Sequence, residues 1–92
     1  MRFEWDGHKA TRNLVKHGVS FEEAATVFGD PLSDTFNDPD HSAQDCRFII
    51  VGVSEKGRML IVAHADDGEV IRIISAREPT HRERGFYEEG RN

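Results

Sequence analysis

The longest apolar stretches of the chain fall in its second half: CRFIIVGV, MLIVAHA and EVIRIISA. Each is rich in β-branched residues and bounded by turn formers, so each reads as a strand. They are apolar nearly throughout, which predicts a sheet covered on both faces over part of its length. SEKG joins the first two and DDG the last two, making an antiparallel meander the economical arrangement. LSDTF adds a short strand before them, and RFEW reads as another at the start.

Between these lie two helices. Asp6 offers an N-cap for HKATRNLVKH, and Gly18 follows as its C′ glycine. Ser20 with Glu23 forms a capping box, with Val19 placed to staple against Ala24, so FEEAATVF continues as a helix to Gly29. Asp30–Pro31 ends it. Thr80 with Glu83 is a second capping box after Pro79, opening a last helix that Gly85 weakens by about 1 kcal/mol relative to alanine. The order β-α-α-β-β-β-β-α defines an α+β domain: an antiparallel sheet of about four strands with two N-terminal helices and a short C-terminal one.

Ninety-two residues make one domain, 1–92, with no Pro/Gly/Ser-rich linker. At 37% hydrophobic and 32% charged, the composition is that of a soluble globular chain. No apolar run approaches the roughly 20 residues that span a bilayer, and MRFEWDGHKATRNL has no signal-like segment. A single cysteine, Cys46, excludes an intrachain disulfide and reads as a small buried residue. A cytoplasmic location fits.

The net charge of −5 hides an uneven distribution. Residues 1–20 carry four basic and two acidic side chains, 21–45 carry seven acidic and no basic ones, and 46–92 carry eight of each. Such polarity suits one surface facing an anion and another facing a basic partner. The positive charge is densest in IRIISAREPTHRERGFYEE, where Arg72, Arg77, His81, Arg82 and Arg84 fall within thirteen positions. DTFNDPDHSAQD is acidic in contrast, with Asp34, Asp38, Asp40, His41 and Asp45. Its spacings match neither a calcium loop nor a zinc pattern, so it reads as a solvated loop or as a docking surface for a basic partner.

Three motifs in this order look like a known family. WD at 5–6, N-x-x-K-H-G-V-x-F-x-E-A from Asn13 to Ala24, and I-S-A-R from Ile74 to Arg77 with E-R-x-x-Y at 83–87 resemble the BrnT toxins of bacterial type II toxin–antitoxin pairs. The resemblance covers nearly the whole chain. It implies a RelE-like fold and ribonuclease activity that halts translation. It also implies neutralisation by a cognate BrnA-type antitoxin with a ribbon-helix-helix part, in a hetero-oligomer that meets DNA only through the antitoxin. No cofactor, metal or membrane enters this reading.

Metal-free RNA cleavage needs a base for the 2′-hydroxyl, positive charge on the phosphorane and an acid for the leaving 5′-oxygen. Arginine suits the second task through its planar fork, and histidine suits proton transfer. Strand parity puts Arg77 with Ile71, Ile73 and Ser75, and Arg72 on the other face. On a last helix from Pro79, Thr80, Arg84 and Tyr87 make one stripe, and His81, Arg84 and Glu88 an adjacent one. Arg77, His81 and Arg84 are therefore expected to meet on one phosphate. Lys9, Arg12 and Lys16 share a face of the first helix, with His17 at its end. The family resemblance favours Lys9, Lys16, His17, Arg77, Arg84 and Tyr87.

The candidate roles are transition-state charge for Arg77 and Arg84, proton transfer for His81 or His17, and RNA contacts for Lys9, Arg12, Lys16 and Arg72. Tyr87 either stacks on a base or packs on the core. Structural alternatives stand beside these roles. Arg77 can pair with Glu78 or Glu83, Arg84 with Glu88, and His17 can simply complement a helix C-terminus. Trp5 reads as a core anchor. The acidic net charge departs from the positive charge usual in RNA-cleaving toxins and implies low, salt-sensitive RNA affinity. A non-catalytic protein-binding module is the alternative from another class. DNA binding through the first two helices ranks lower, because FEEAATVF offers a groove only acidic side chains.

Overall fold

A computed structural model of the chain describes residues 1–38 and 47–90. The elements run β1 (Arg2–Glu4), α1 (Gly7–His17), α2 (Phe21–Thr26), a 3-10 turn (Val27–Gly29), β2 (Asp34–Asn37), β3 (Arg47–Val53), β4 (Met59–Asp66), β5 (Val70–Arg77) and α3 (His81–Gly90). Asp40, His41, Asp45 and Cys46 lie outside the described residues. No described helix is long and apolar enough to cross a membrane.

The helix boundaries follow their caps. Asp6 accepts from the Lys9 N–H at 3.0 Å, and Gly18 closes α1 at φ 70°, a conformation glycine adopts without strain. Ser20 accepts from the Glu23 N–H at 3.0 Å. Glu23 does not complete that capping box, because its carboxylate turns inward to Ser54 and Arg58. The predicted single helix to Gly29 is α-helical only to Thr26 and tightens into the 3-10 turn beyond it. At Thr80 the box is reciprocal: Glu83 N–H donates to Thr80 Oγ1 at 3.2 Å and Thr80 N–H to Glu83 Oε1 at 2.9 Å. Gly85 does not cut α3 short; the helix runs ten residues.

The sheet has five strands in the order β1-β5-β4-β3-β2. From β2 to β5 it is the expected antiparallel meander. The N-terminal strand corrects the all-antiparallel expectation: β1 pairs parallel with β5, with Phe3 opposite Ile71. Helices α1 and α2 carry the chain across one side of the sheet from β1 to β2 at the far edge, and the meander then returns to place β5 beside β1.

Both faces of the meander are covered. On one, Val19, Phe21, Ala24 and Val27 pack against Ile50, Leu60, Val62, Ile73 and Ala76, with Phe3, Trp5 and Phe28 at the margin. Trp5 meets Phe21 edge-on at 6.0 Å, an anchoring role. On the other face Val51, Met59 and Ile61 pack with Ile49 and with Tyr87 from α3. A bulge between Ala63 and His64 gives β5 one extra residue, so Ala63 opposes Ser75 while His64 opposes Ile73. This reverses simple parity. Ile71, Ile73 and Ala76 point to the α1/α2 face, and Arg77, opposite Ile61, points to the α3 face.

One buried side chain joins the first helix to the last strand. Asn13, 7% exposed, donates to the carbonyls of Val19 (2.9 Å) and Ala76 (2.8 Å) and accepts from the Ala76 N–H at 3.1 Å. Asn13→Ala would leave three buried backbone groups without partners. We expect a loss of about 3 kcal/mol and a melting point lower by roughly 15 °C in thermal unfolding.

His64, 3% exposed, sits against Phe28 (4.8 Å, edge-on) and Phe48 (5.9 Å, stacked). Burial lowers its pKa from 6.5, so it is neutral in the fold. The folded state then binds fewer protons than the unfolded state, and stability falls as pH drops below about 6.5. His64→Phe should flatten the fall of melting temperature as pH drops below about 6.5.

Candidate active site

Arg77 is the last residue of β5, next to the Ala76 backbone that Asn13 holds. Pro79 turns the chain and Thr80 caps α3, which brings Glu83 back beneath Arg77. The guanidinium then meets the carboxylate through two bonds, Nη1 to Oε1 at 2.8 Å and Nη2 to Oε2 at 3.0 Å. Nη1 also donates to the Glu78 carbonyl at 3.3 Å. Glu83 thus accepts from three N–H groups, counting that of Thr80. Arg77 first, and then the Thr80 N–H, hold its pKa down to about 2. Hydrogen bonding to Glu83 raises that of Arg77.

This pairing engages one edge of the guanidinium. Of its five N–H donors, Nε–H and one on Nη2 have no partner among the described residues. These two lie side by side on one edge, the fork that fits two oxygens of a phosphate. The Arg77 side chain as a whole is 40% exposed. Tyr87 lies one turn beyond Glu83 on the inward side of α3, half-buried on the sheet and close enough to act electrostatically on Arg77.

A second network holds the α1–α2 turn to the same end of the molecule. Glu23, its side chain 1% exposed, accepts from Ser54 Oγ (2.7 Å) and Arg58 Nε (2.9 Å) and is also bonded by Arg58 Nη2. Arg58 Nη2 donates to the Gly18 carbonyl at 3.1 Å, and Nη1 is 3.5 Å from Glu78. Through Arg58, the C-terminal end of α1, with Lys16 and His17, adjoins the Arg77–Pro79 corner.

The other candidates are distributed more widely. His17 is half-buried on the inward face of α1 with Ala10 and Asn13, while Lys9, Arg12 and Lys16 are exposed on its outer side. Lys9 and Arg12 border a shallow hollow with Asp6, His8 and Thr11. Arg72 lies toward the other end of β5, paired with Glu4 at 3.2 Å. Arg84 is turned to Glu88 at 3.4 Å, and His81 is exposed in the first turn of α3. Arg77 and Tyr87 are therefore brought together, with the ends of α1 and α3 around them. Among the described residues no group of three His, Cys, Asp or Glu side chains gathers in a metal-ligand arrangement.

Three contributors escaped the sequence reading. In the sequence Asn13 stands only in a motif, Glu23 in a motif and a cap, and Glu83 in a motif, a cap and one of two possible pairings with Arg77, without a role at the site. A signal existed for Asn13, a poor helix former at an interior helical position on the Ala10–His17 face.

The sequence matches, over residues 5–83, the family described as "Ribonuclease toxin, BrnT, of type II toxin-antitoxin system", which sets the chain among the ribonuclease toxins of such pairs. It belongs to the BrnT family. Its fold is similar to that of the Brucella abortus ribonuclease toxin BrnT seen in a crystal structure, with a TM-score of 0.67 at 23% identity, covering 88% of this chain and 99% of that one. No curated protein matches the sequence.

Arg58→Met would strand the Glu23 carboxylate in the interior. It should cost about 3 kcal/mol near neutral pH. Because Arg58 depresses the pKa of Glu23, its stabilisation is present above about 4.5 and is lost as pH falls. The gap between variant and wild type, measured by denaturant titration, should therefore narrow in acid.

Proposed function

We propose that this chain is an endoribonuclease that cuts RNA without a metal ion to inhibit translation, with Arg77 on the scissile phosphate. The observation that carries the reading is the half-engaged guanidinium: one edge is fixed by Glu83, and the other keeps two donors without a partner among the described residues. A cation held this way pays little entropy when a phosphorane forms against it. In the reaction the 2′-oxygen loses its proton and bonds to phosphorus while the bond to the 5′-oxygen breaks. That oxygen takes a proton, leaving a cyclic phosphate and a 5′-hydroxyl.

Glu83 is a poor choice of base, because a carboxyl with a pKa of about 2 holds a proton too weakly at neutral pH. It acts as a positioning residue. His81, exposed at the start of α3, and His17, at the end of α1, remain the proton-transfer candidates. Tyr87 packs on the sheet and acts electrostatically on Arg77, which suits a role beside the phosphate more than free stacking. Arg84 and Arg72 are each engaged by a carboxylate. Lys9, Arg12 and Lys16 remain the RNA-contacting group on α1. A cognate BrnA-type antitoxin of the ribbon-helix-helix class neutralises the toxin in the cytoplasm, and DNA is met through it.

The test is RNA cleavage by the purified, antitoxin-free chain in EDTA. We expect cleavage by the wild type and a loss of about 100- to 1,000-fold in Arg77→Ala, with the variant still melting cooperatively as a folded protein. Arg77→Lys should recover little, since an ammonium cannot present the fork. Full activity of a folded Arg77→Ala protein would remove Arg77 from the site, and loss of wild-type cleavage in EDTA would end the metal-free reading.

A further inference from the structure

The face opposite the first two helices carries an exposed aromatic surface in which Phe36 and Phe86, which have no role in the proposed reaction, flank Tyr87. Phe36 on β2 lies 6.0 Å from Tyr87, and Phe86 meets Tyr87 edge-on at 5.4 Å. Phe36 is 43% exposed and Phe86 70%. With Asp34 and Glu89 these three rings line one groove. All four residues of β2 are exposed, and among the described residues it pairs only with β3, so one backbone edge borders the groove.

One row of the sheet links the groove to the site. Asp34, Val51, Ile61 and Arg77 are successive cross-strand partners, a row running across the sheet beneath α3. At the ordinary strand spacing its ends are about 14 Å apart, the reach of roughly four extended residues. Tyr87 stands over the middle of the row, packed with Val51 and Ile61.

Charge selects the occupant. RNA brings phosphates, which the Asp34 and Glu89 carboxylates repel. A polypeptide that presents an apolar side chain flanked by arginine or lysine fits both features, stacking on the rings and pairing with the rim. We propose that this groove is where the antitoxin docks, through a basic and apolar segment that crosses α3's side of the sheet toward Arg77 and shuts the phosphate fork. The proposal rests on the toxin–antitoxin reading above. It adds the surface, the chemistry of the bound segment and the mode of inhibition.

The test uses the full chain and its BrnA-type antitoxin, with affinity measured by calorimetry and RNA cleavage measured on the free toxin. Phe86→Ala/Glu89→Lys alters only exposed positions, and Asp34→Lys serves as a second, independent variant. We expect both to weaken antitoxin binding by at least about 30-fold, with free-toxin cleavage within about twofold of wild type and melting unchanged. Folded variants that bind the antitoxin as tightly as wild type would overturn the groove while leaving the toxin reading intact. Variants that keep the antitoxin but lose RNA would assign the groove to RNA instead. A wild-type chain that does not bind the antitoxin at all would overturn the partner reading, and this proposal with it.

Discussion

The arrangement depends on one amide. Asn13 reaches out of α1 to hold both backbone polar groups of Ala76, and in the same grip the carbonyl of Val19 that begins the turn into α2. Without it, β5 at this point would present a buried N–H and C=O to an apolar helix face, a cost of several kcal/mol. The grip sets the depth of α1, the entry to α2 and the backbone position immediately before Arg77. A single residue in the N-terminal motif thereby locates the guanidinium in the C-terminal one, which gives a physical reason for two motifs 63 residues apart to belong to one site.

The acidic composition also finds an account here. Four of the five arginines from Arg58 to Arg84 are held in ion pairs rather than free. Arg77, Arg72, Arg84 and Arg58 each face a carboxylate. For Arg77 the partner does not cancel the proposed function, because a carboxylate engages one edge of a guanidinium and leaves the other. The pair loses long-range attraction for RNA and keeps short-range directionality. Lys9, Arg12 and Lys16, exposed and without an ion pair among the described residues, are left to provide the weak, salt-dependent attraction. The Asp34 and Glu89 carboxylates that line the aromatic groove suit a basic protein partner.

Much of this was legible in the chain. Caps at Asp6, Gly18, Ser20 and Thr80 gave the helices because a local side-chain-to-backbone bond is encoded within four residues. The meander followed from apolar runs separated by short turns. The parallel pairing of RFE with β5 was not legible, since three residues carry no sign of their partner's direction. The bulge opposite Ala63 and His64 was equally hidden, and it moved Arg77 to the other face. Ion pairs were visible as possibilities but not as choices. Glu23 and Glu83 occupy the same position of two capping boxes, yet Glu23 turns into the core to meet Arg58, 35 residues away, while Glu83 caps and clamps Arg77 together. That difference is tertiary and no local pattern records it.

The central claim is that the Nε edge of Arg77, fixed by Glu83 and by the Asn13 grip on Ala76, receives an RNA phosphate. The most direct measurement is nitrogen-15 NMR of the arginine Nε–H groups during titration with an oligonucleotide that lacks 2′-hydroxyls and cannot be cut. The account predicts that the Arg77 Nε–H signal shifts on saturation while the Ala76 backbone N–H, held by Asn13, stays in place. Saturable binding that leaves the Arg77 signal unmoved, with shifts confined to α1, would contradict it.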